Sequence, residues 1–187
     1  MSIPQTNIAY PRLAALIDRA CARDPLRVGV VYPCETSALS AAIEAKTRGL
    51  ISPVLIGPTD QIRKIAADAH LTLDGTEIVE ADDAVAAARR AVALAHEGEI
   101  AAIMKGSLHT DELLGAVVGR DSPLRTSRRI SHVFWFDCPA YHKPLMLTDA
   151  VVNIAPTIVE KADIVRNAVD FAHAIGIELP KVAIIAP

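Results

Sequence analysis

A chain of 187 residues, 51% of them hydrophobic, has the length and apolar content for one good-sized α/β domain, or for a domain and part of a second. Its 19 basic and 22 acidic residues give a formal charge of -3, and no basic block interleaves with aromatics, which argues against nucleic acid as a partner. Cys21, Cys34 and Cys138 form no Cys-x-x-Cys pair and leave an odd count, which fits a reducing compartment and not a disulfide framework.

The opening segment, MSIPQTNIAYPRLAALIDRACARDP, has no basic stretch ahead of an apolar core, so no export signal is read there. Nor does any apolar run approach the roughly 20 residues of a bilayer span, so a soluble, cytoplasmic chain without a membrane partner is expected. Apolar runs of strand length then alternate with helical periodicity, the pattern of βαβ units around a mostly parallel sheet. Strands are expected at 27–33 (RVGVVYP), 52–57 (SPVLIG), 76–81 (TEIVEA) and 100–106 (IAAIMKG), then at 131–137 (SHVFWFD), 143–149 (KPLMLTD) and 181–187 (KVAIIAP).

The helices between them carry legible punctuation. Thr36 or Ser37 can cap the helix that Gly49 closes, since a hydroxyl satisfies the first free amides and glycine accepts a left-handed exit. An alanine-rich helix from about 82 to 97 reads as one buried stripe and one solvated face carrying Arg89 and Arg90. Residues 119–129, GRDSPLRTSRR, form a polar, basic loop. The strands on either side of CPAYH are too close for a crossover helix, so they form an antiparallel hairpin or a strand leaving the main sheet. Thr157 and Glu160 make a capping-box pattern, followed by Ile158, Ala162, Val165, Val169 and Ala172 at helical spacing up to Gly176. The expected organisation is a first α/β domain over 1–149, then a linker helix and the first strand of a second, unfinished α/β domain over 150–187. The chain is read as a fragment, or as one that stops where a longer relative continues.

Open α/β sheets bind ligands outside the carboxyl ends of their strands. YPCETS (32–37), MKGSLHT (104–110) and LTDAVVN (147–153) are the strand ends with suitable side chains. In the second of these, Lys105 offers a charge, while Gly106, Ser107 and Thr110 suit an anionic oxygen at a helix N-terminus. The same residues also make a cap and a tight turn, and the spacing is not that of a Gly-x-x-x-x-Gly-Lys-Ser/Thr nucleotide loop. Arg125, Arg128 and Arg129 can hold phosphate in bidentate fashion or lie solvated on a loop. Asp149 and Asn153 can act in a site or fix a turn. The histidines lack the spacing of a metal centre, and no metal is expected. Cys34 and Cys138 lack a partnered base.

MKGSLHTDELLGAVV, and then LRTSRRISHVFWFDCPAYHKPLMLTDAVVNIAP with the remaining residues to Pro187, resemble the phosphate acetyltransferase and phosphate butyryltransferase family. The likeness runs from RVGVVYP onward and is strongest from Met104 to Pro187. It rests on the ordered combination of Lys-Gly-x-x-x-Thr, Leu-Arg-Thr-x-Arg, Ser-His-Val, Lys-Pro-Leu-x-Leu-Thr-Asp-Ala and Asn-Ile-Ala-Pro. The resemblance implies three-layer αβα domains of the isocitrate/isopropylmalate dehydrogenase-like type, two to a chain, with the site in the cleft between them. It implies acyl transfer between coenzyme A and inorganic phosphate, with the coenzyme A thioester as substrate and no cofactor. By the match, Lys105, Gly106, Ser107, Thr110, Arg125 and Arg128 bind phosphate or part of coenzyme A, and Thr148, Asp149 and Asn153 line the other side. The family's Ser-Arg-x-Asp-Ser type segment has no counterpart here, so catalytic residues are expected beyond Pro187. Leu113, Leu114 and Gly115 stand where the acetyl branch carries Arg-Pro, which likens the chain to the butyryl branch.

The expected mechanism is direct attack of phosphate on the thioester in a ternary complex, since no convincing Ser or Cys dyad is present. A second reading is a non-catalytic half that binds coenzyme A or anions, or self-associates; a homo-oligomer is expected. A third, a dehydrogenase of the same broad fold, lacks metal-binding carboxylates at the expected places.

Overall fold

Val28, Val30 and Val31 place β-branched side chains on both faces of β1 (Leu26–Val31), a pattern that suits a strand covered on both sides. In the computed structural model, which describes residues 10–185, β1 lies inside a four-stranded parallel sheet. Its partners are β2 (Ile51–Gly57), β3 (Glu77–Glu80) and β4 (Ala102–Lys105), in the order β3-β2-β1-β4. Contacts divide the chain into two compact units, Ala20–Arg125, which holds this sheet, and residues 10–19 with 126–185.

Both faces of the sheet are packed. Val30 and Leu55 meet Leu39 and Ala42 of α2 (Thr36–Thr47) and Ile62 and Ala66 of α3 (Thr59–Asp68). On the opposite face Val31, Val54 and Ile56 meet Ala87, Ala88, Ala91 and Leu94 of α4 (Ala84–His96) and Leu113 of α5 (Thr110–Val118). The alternation along β2, with Val54 and Ile56 to one side and Leu55 to the other, makes the three layers. Each large side chain buried this way contributes roughly 1.5–3 kcal/mol. Arg89 and Arg90 lie on the exposed side of α4, as the periodicity requires. A Cβ on Gly29, in the middle of β1, would come within 2.5 Å of Ile100 Cδ1, so the end of the Ile100 side chain would have to shift to admit one.

The other unit contains α1 (Pro11–Cys21) through Arg19, β5 (Phe134–Phe136), β6 (Leu145–Leu147) and α6 (Ile158–Ala174). β5 and β6 form a separate antiparallel pair, with Phe134 opposite Leu147 and Phe136 opposite Leu145. The hairpin alternative is therefore the one adopted. Helix α6 opens with the expected box: Thr157 N–H donates to Glu160 Oε2 at 2.9 Å, and Glu160 N–H to Thr157 Oγ1 at 3.3 Å.

Several expectations need correction. Glu35, not Thr36 or Ser37, occupies the N-cap of α2, and no side chain caps it. The buried stripe of α6 is Ile164, Ala168 and Ala172, whereas Ile158 is 87% exposed. Spacing fixes the period of such a stripe but not its phase, which the packing partner sets. No strand forms over 181–185, where Ile184 and Ile185 are 74% and 84% exposed; residues 186–187 lie outside the described ones. An apolar run becomes a strand only beside another strand's hydrogen-bonding edge, and among the described residues none pairs with it.

Candidate functional site

The parallel register sets Val31 opposite Lys105 and Ile56, and Gly57 opposite Glu80, so the four carboxyl ends share one edge. The chain leaves β1 toward β2 on one side, while β4 lies on the other, so the strand order reverses between β1 and β4. That reversal is where open α/β sheets seat ligands. It brings together Tyr32 to Ser37 after β1 and Lys105 to Thr110 after β4.

The two turns are joined by main-chain bonds. Gly106 N–H donates to Val31 O at 2.9 Å and Ser107 N–H to Tyr32 O at 2.8 Å. Glycine is obligatory for that approach, since a Cβ on residue 106 would lie 2.3 Å from Val31 O and 2.6 Å from Tyr32 O. The amides of Gly106 and Ser107 are thus already engaged with carbonyls at the end of β1. Asp111 and Glu112 occupy the first turn of α5, and Glu112 Oε2 accepts the His109 N–H at 2.8 Å, so this helix start already carries its own anion.

The donors not spent on the main chain are on side chains. Lys105 Nζ donates to Leu108 O at 2.9 Å and Gly106 O at 3.3 Å, and it has no carboxylate partner among the described residues. Ser107 Oγ is buried with no hydrogen-bond partner among the described residues, which leaves a hydroxyl donor unspent in the same turn. Thr110 is exposed at the first residue of α5. Arg125 is exposed, its N–H bonded to Ser122 O at 3.2 Å and its guanidinium in no ion pair among the described residues. Tyr32 takes a left-handed conformation with φ 52°. Burial and then the neighbouring Cys34 push its hydroxyl up, and burial likewise pushes the Cys34 thiol up, offset in part by the Tyr32 hydroxyl. Cys34 therefore remains a thiol at neutral pH and a poor nucleophile.

In the other unit, Thr148, Asp149 and Asn153 form a closed knot of hydrogen bonds. Asp149 Oδ1 accepts the N–H of His132 at 3.2 Å, Val152 at 3.1 Å and Val151 at 3.4 Å, while Oδ2 accepts the Asn153 N–H at 3.0 Å and its side-chain amide. Burial alone would raise the Asp149 carboxyl, but these donors, the Asn153 side chain foremost, outweigh it and hold the group below its ordinary value. Thr148 Oγ1 donates to His132 O at 2.7 Å, which ties the far end of the same segment. Asn153 also donates to Ile130 O at 3.0 Å and accepts from Arg129 Nε at 2.8 Å. Arg128 is paired with Asp170 at 2.5 Å. Asp149 acts here as the organiser of a turn, the structural alternative that its place after a strand had left open.

Arg129 is the residue that sequence reasoning undervalued. It joins the basic loop to α6 through Asp163, which accepts its N–H at 3.1 Å, and through Glu160 at 3.4 Å. Position in a cluster of arginines gave no signal for which one would be structural. Asp137 was missed as well; it bonds to Arg12 across 125 residues, a distance at which no local pattern operates.

Residues 82–186 match the family described as phosphate acetyl/butaryl transferase. The chain is 47% identical over 183 residues to the phosphate acetyltransferase of Rhizobium meliloti, an alignment covering 98% of this chain and 57% of that one. It is 36% identical over 168 residues to the phosphate butyryltransferase of Clostridium acetobutylicum, covering 90% and 56%. It also superimposes on a crystal structure of a phosphotransacetylase from Streptococcus pyogenes with TM-score 0.75, 16% identity, and 94% and 60% coverage, a likeness of fold alone. The chain spans little more than half the length of the curated relatives it matches.

Proposed function

The chain belongs to the phosphate acetyl/butaryl transferase family, and from that membership we propose that it serves acyl transfer between coenzyme A and inorganic phosphate. The observation that carries the reading is the position of Lys105 and Ser107. Inside the matched segment, at the end of β4 and in the turn after it, at the point of strand reversal, the chain carries an ammonium without a carboxylate partner and a buried hydroxyl without a hydrogen-bond partner among the described residues.

A thioester is already activated, so the protein's task is placement. A phosphate oxygen attacks the acyl carbonyl carbon, the C–O bond forms, the C–S bond breaks, and the departing thiolate takes up a proton. Lys105, Ser107 and Thr110, with Arg125, hold phosphate through charge and hydroxyl donors, and Gly106 permits the close approach of the two turns that presents them. Arg128, Thr148, Asp149 and Asn153 contribute to binding coenzyme A. Among these Asp149 acts indirectly, by holding Asn153 and the amides around it, and Arg128 must exchange Asp170 for the ligand. Attack proceeds in a ternary complex, a reading supported by the raised thiol of Cys34, and the reaction so written calls for no cofactor. The acyl group is acetyl or butyryl. The Leu113-Leu114-Gly115 segment favours the butyryl branch, and the higher identity to the named acetyltransferase favours acetyl.

The deciding experiment mixes the protein with acetyl-CoA or butyryl-CoA and phosphate and follows free thiol, with arsenate and phosphate-free controls. Phosphate-dependent thiol release from one of the two is expected. A protein stably acylated by acyl-CoA alone would overturn the ternary complex. The second reading is binding or self-association without turnover. It predicts saturable coenzyme A binding with no thiol release.

A further inference from the structure

A half-open pocket of about 210 Å³ lies in the unit built from residues 10–19 and 126–185, lined by Arg12, Leu16, Arg19, Trp135, Ile175 and Ile177 among others. Arg12, Leu16 and Arg19 stand three or four residues apart on α1, and so on one helical face. The remaining wall is apolar, and Arg19 stands exposed at its rim.

The two guanidiniums at this pocket differ in their charge balance. Arg12 is neutralised by Asp137 at 2.9 Å and bonded to His142 O at 2.7 Å. Arg19 donates only to Ile175 O, at 2.8 Å, the carbonyl at the C-cap of α6, and has no carboxylate partner among the described residues. One unbalanced positive charge with spare N–H donors therefore borders an apolar cavity. A guanidinium fork matches a carboxylate in bidentate geometry. The indole lining the pocket carries an Nε1 proton that is buried and lacks an acceptor among the described residues.

We propose that this pocket binds a monocarboxylate of about six carbons, with its carboxylate on Arg19 and its hydrocarbon against Trp135, Leu16 and Ile177. Room and apolar wall suit the ligand: an enclosed apolar cavity of about 150 Å³ takes up benzene, so an open pocket of about 210 Å³ has space for a six-carbon body with its head group, whereas acetate has little hydrocarbon to lay on the wall. Inorganic phosphate has the charge without the apolar body. No residue of this pocket belongs to the set proposed for phosphate and coenzyme A, so either reading can fail without the other.

Trp135 is the single tryptophan of the chain, so the pocket carries its own probe. Titration with sodium hexanoate at constant ionic strength is expected to give a saturable change in tryptophan emission, with a dissociation constant on the order of a millimolar. Acetate, inorganic phosphate and the neutral hexanamide are expected to bind about tenfold more weakly or worse. Arg19→Met should weaken hexanoate by a similar factor and Arg19→Lys by only a few-fold. Ala15→Leu fills the pocket while leaving the Arg19 bond to Ile175 in place, and it should abolish the response, with circular dichroism verifying that each variant is folded. The proposal is overturned by an emission change that does not saturate, by an equal response to hexanamide or phosphate on the unmodified protein, or by an unchanged titration in Ala15→Leu.

Discussion

The carboxylate of Asp137 caps α1 and grips Arg12 at the same time: Oδ2 accepts the Arg12 N–H at 2.8 Å, and Oδ1 accepts its guanidinium at 2.9 Å. Oδ2 also accepts the Leu13 N–H at 3.0 Å, so one side chain satisfies two orphan amides of the helix. The Asp137 side chain is only 2% exposed.

Replacing it tests the cap. Asp137→Asn is expected to lower Tm by about 2–4 °C at pH 7, the size of effect a lost charged cap has in a chain of this length. Burial alone would raise this carboxyl, but the Leu13 and Arg12 donors outweigh it and hold it below its ordinary 3.8. A depressed value means the contribution is present above the ordinary value and is lost as pH falls through the native one. The gap in Tm between wild type and Asn should therefore close as the pH drops below about 4. A gap that stays constant through that window would exclude the ionised cap.

Gly106 and Gly115 make a contrasting pair. Gly106→Ala drives a Cβ into main-chain oxygens at 2.3 Å and 2.6 Å, which cannot rotate away, and should cost about 2 kcal/mol or more in urea unfolding. Gly115, inside α5, has nothing within 4 Å of its Cβ position, and Gly115→Ala should stabilise by roughly 0.5–1 kcal/mol. Equal effects from the two would contradict the joined turns.

Asp149→Ala removes the acceptor of four main-chain N–H groups and should cost about 2–3 kcal/mol, since bonds to a charged group are the stronger kind. Urea unfolding followed by Trp135 emission reads the same unit. Asp149→Asn keeps one acceptor oxygen and is expected to fall between.

Lys105→Met should raise the KM for phosphate about tenfold or more, through loss of a charge at the site. Tm should change little, because this ammonium bonds only to the carbonyls of Leu108 and Gly106. An unaltered KM would remove Lys105 from the phosphate site.

The cysteines are expected to differ in reactivity. The Cys34 thiol is pushed up by burial, whereas Cys21 is exposed. At pH 7, iodoacetamide should label Cys21 well before Cys34, as read by peptide mass spectrometry.

The sequence by itself determined the parallel sheet, the helices packed on it, the α6 capping box and the family resemblance. Apolar runs near 27–33, 52–57 and 100–106 mark strands because a sheet covered on both faces needs continuous apolar residues. The Thr157–Glu160 box is legible because its hydrogen bonds close within three residues. The resemblance, read most strongly from Met104, agrees with the match over 82–186. Only the tertiary structure decided which polar groups are free. It engaged the Gly106 and Ser107 amides with the end of β1, turned Asp149 into the centre of a knot, rotated the buried stripe of α6 to Ile164, and brought Asp137 to α1. The physical reason is range: periodicity and caps act over a few residues, whereas a hydrogen-bond partner 125 residues away is chosen by packing, which no local pattern encodes.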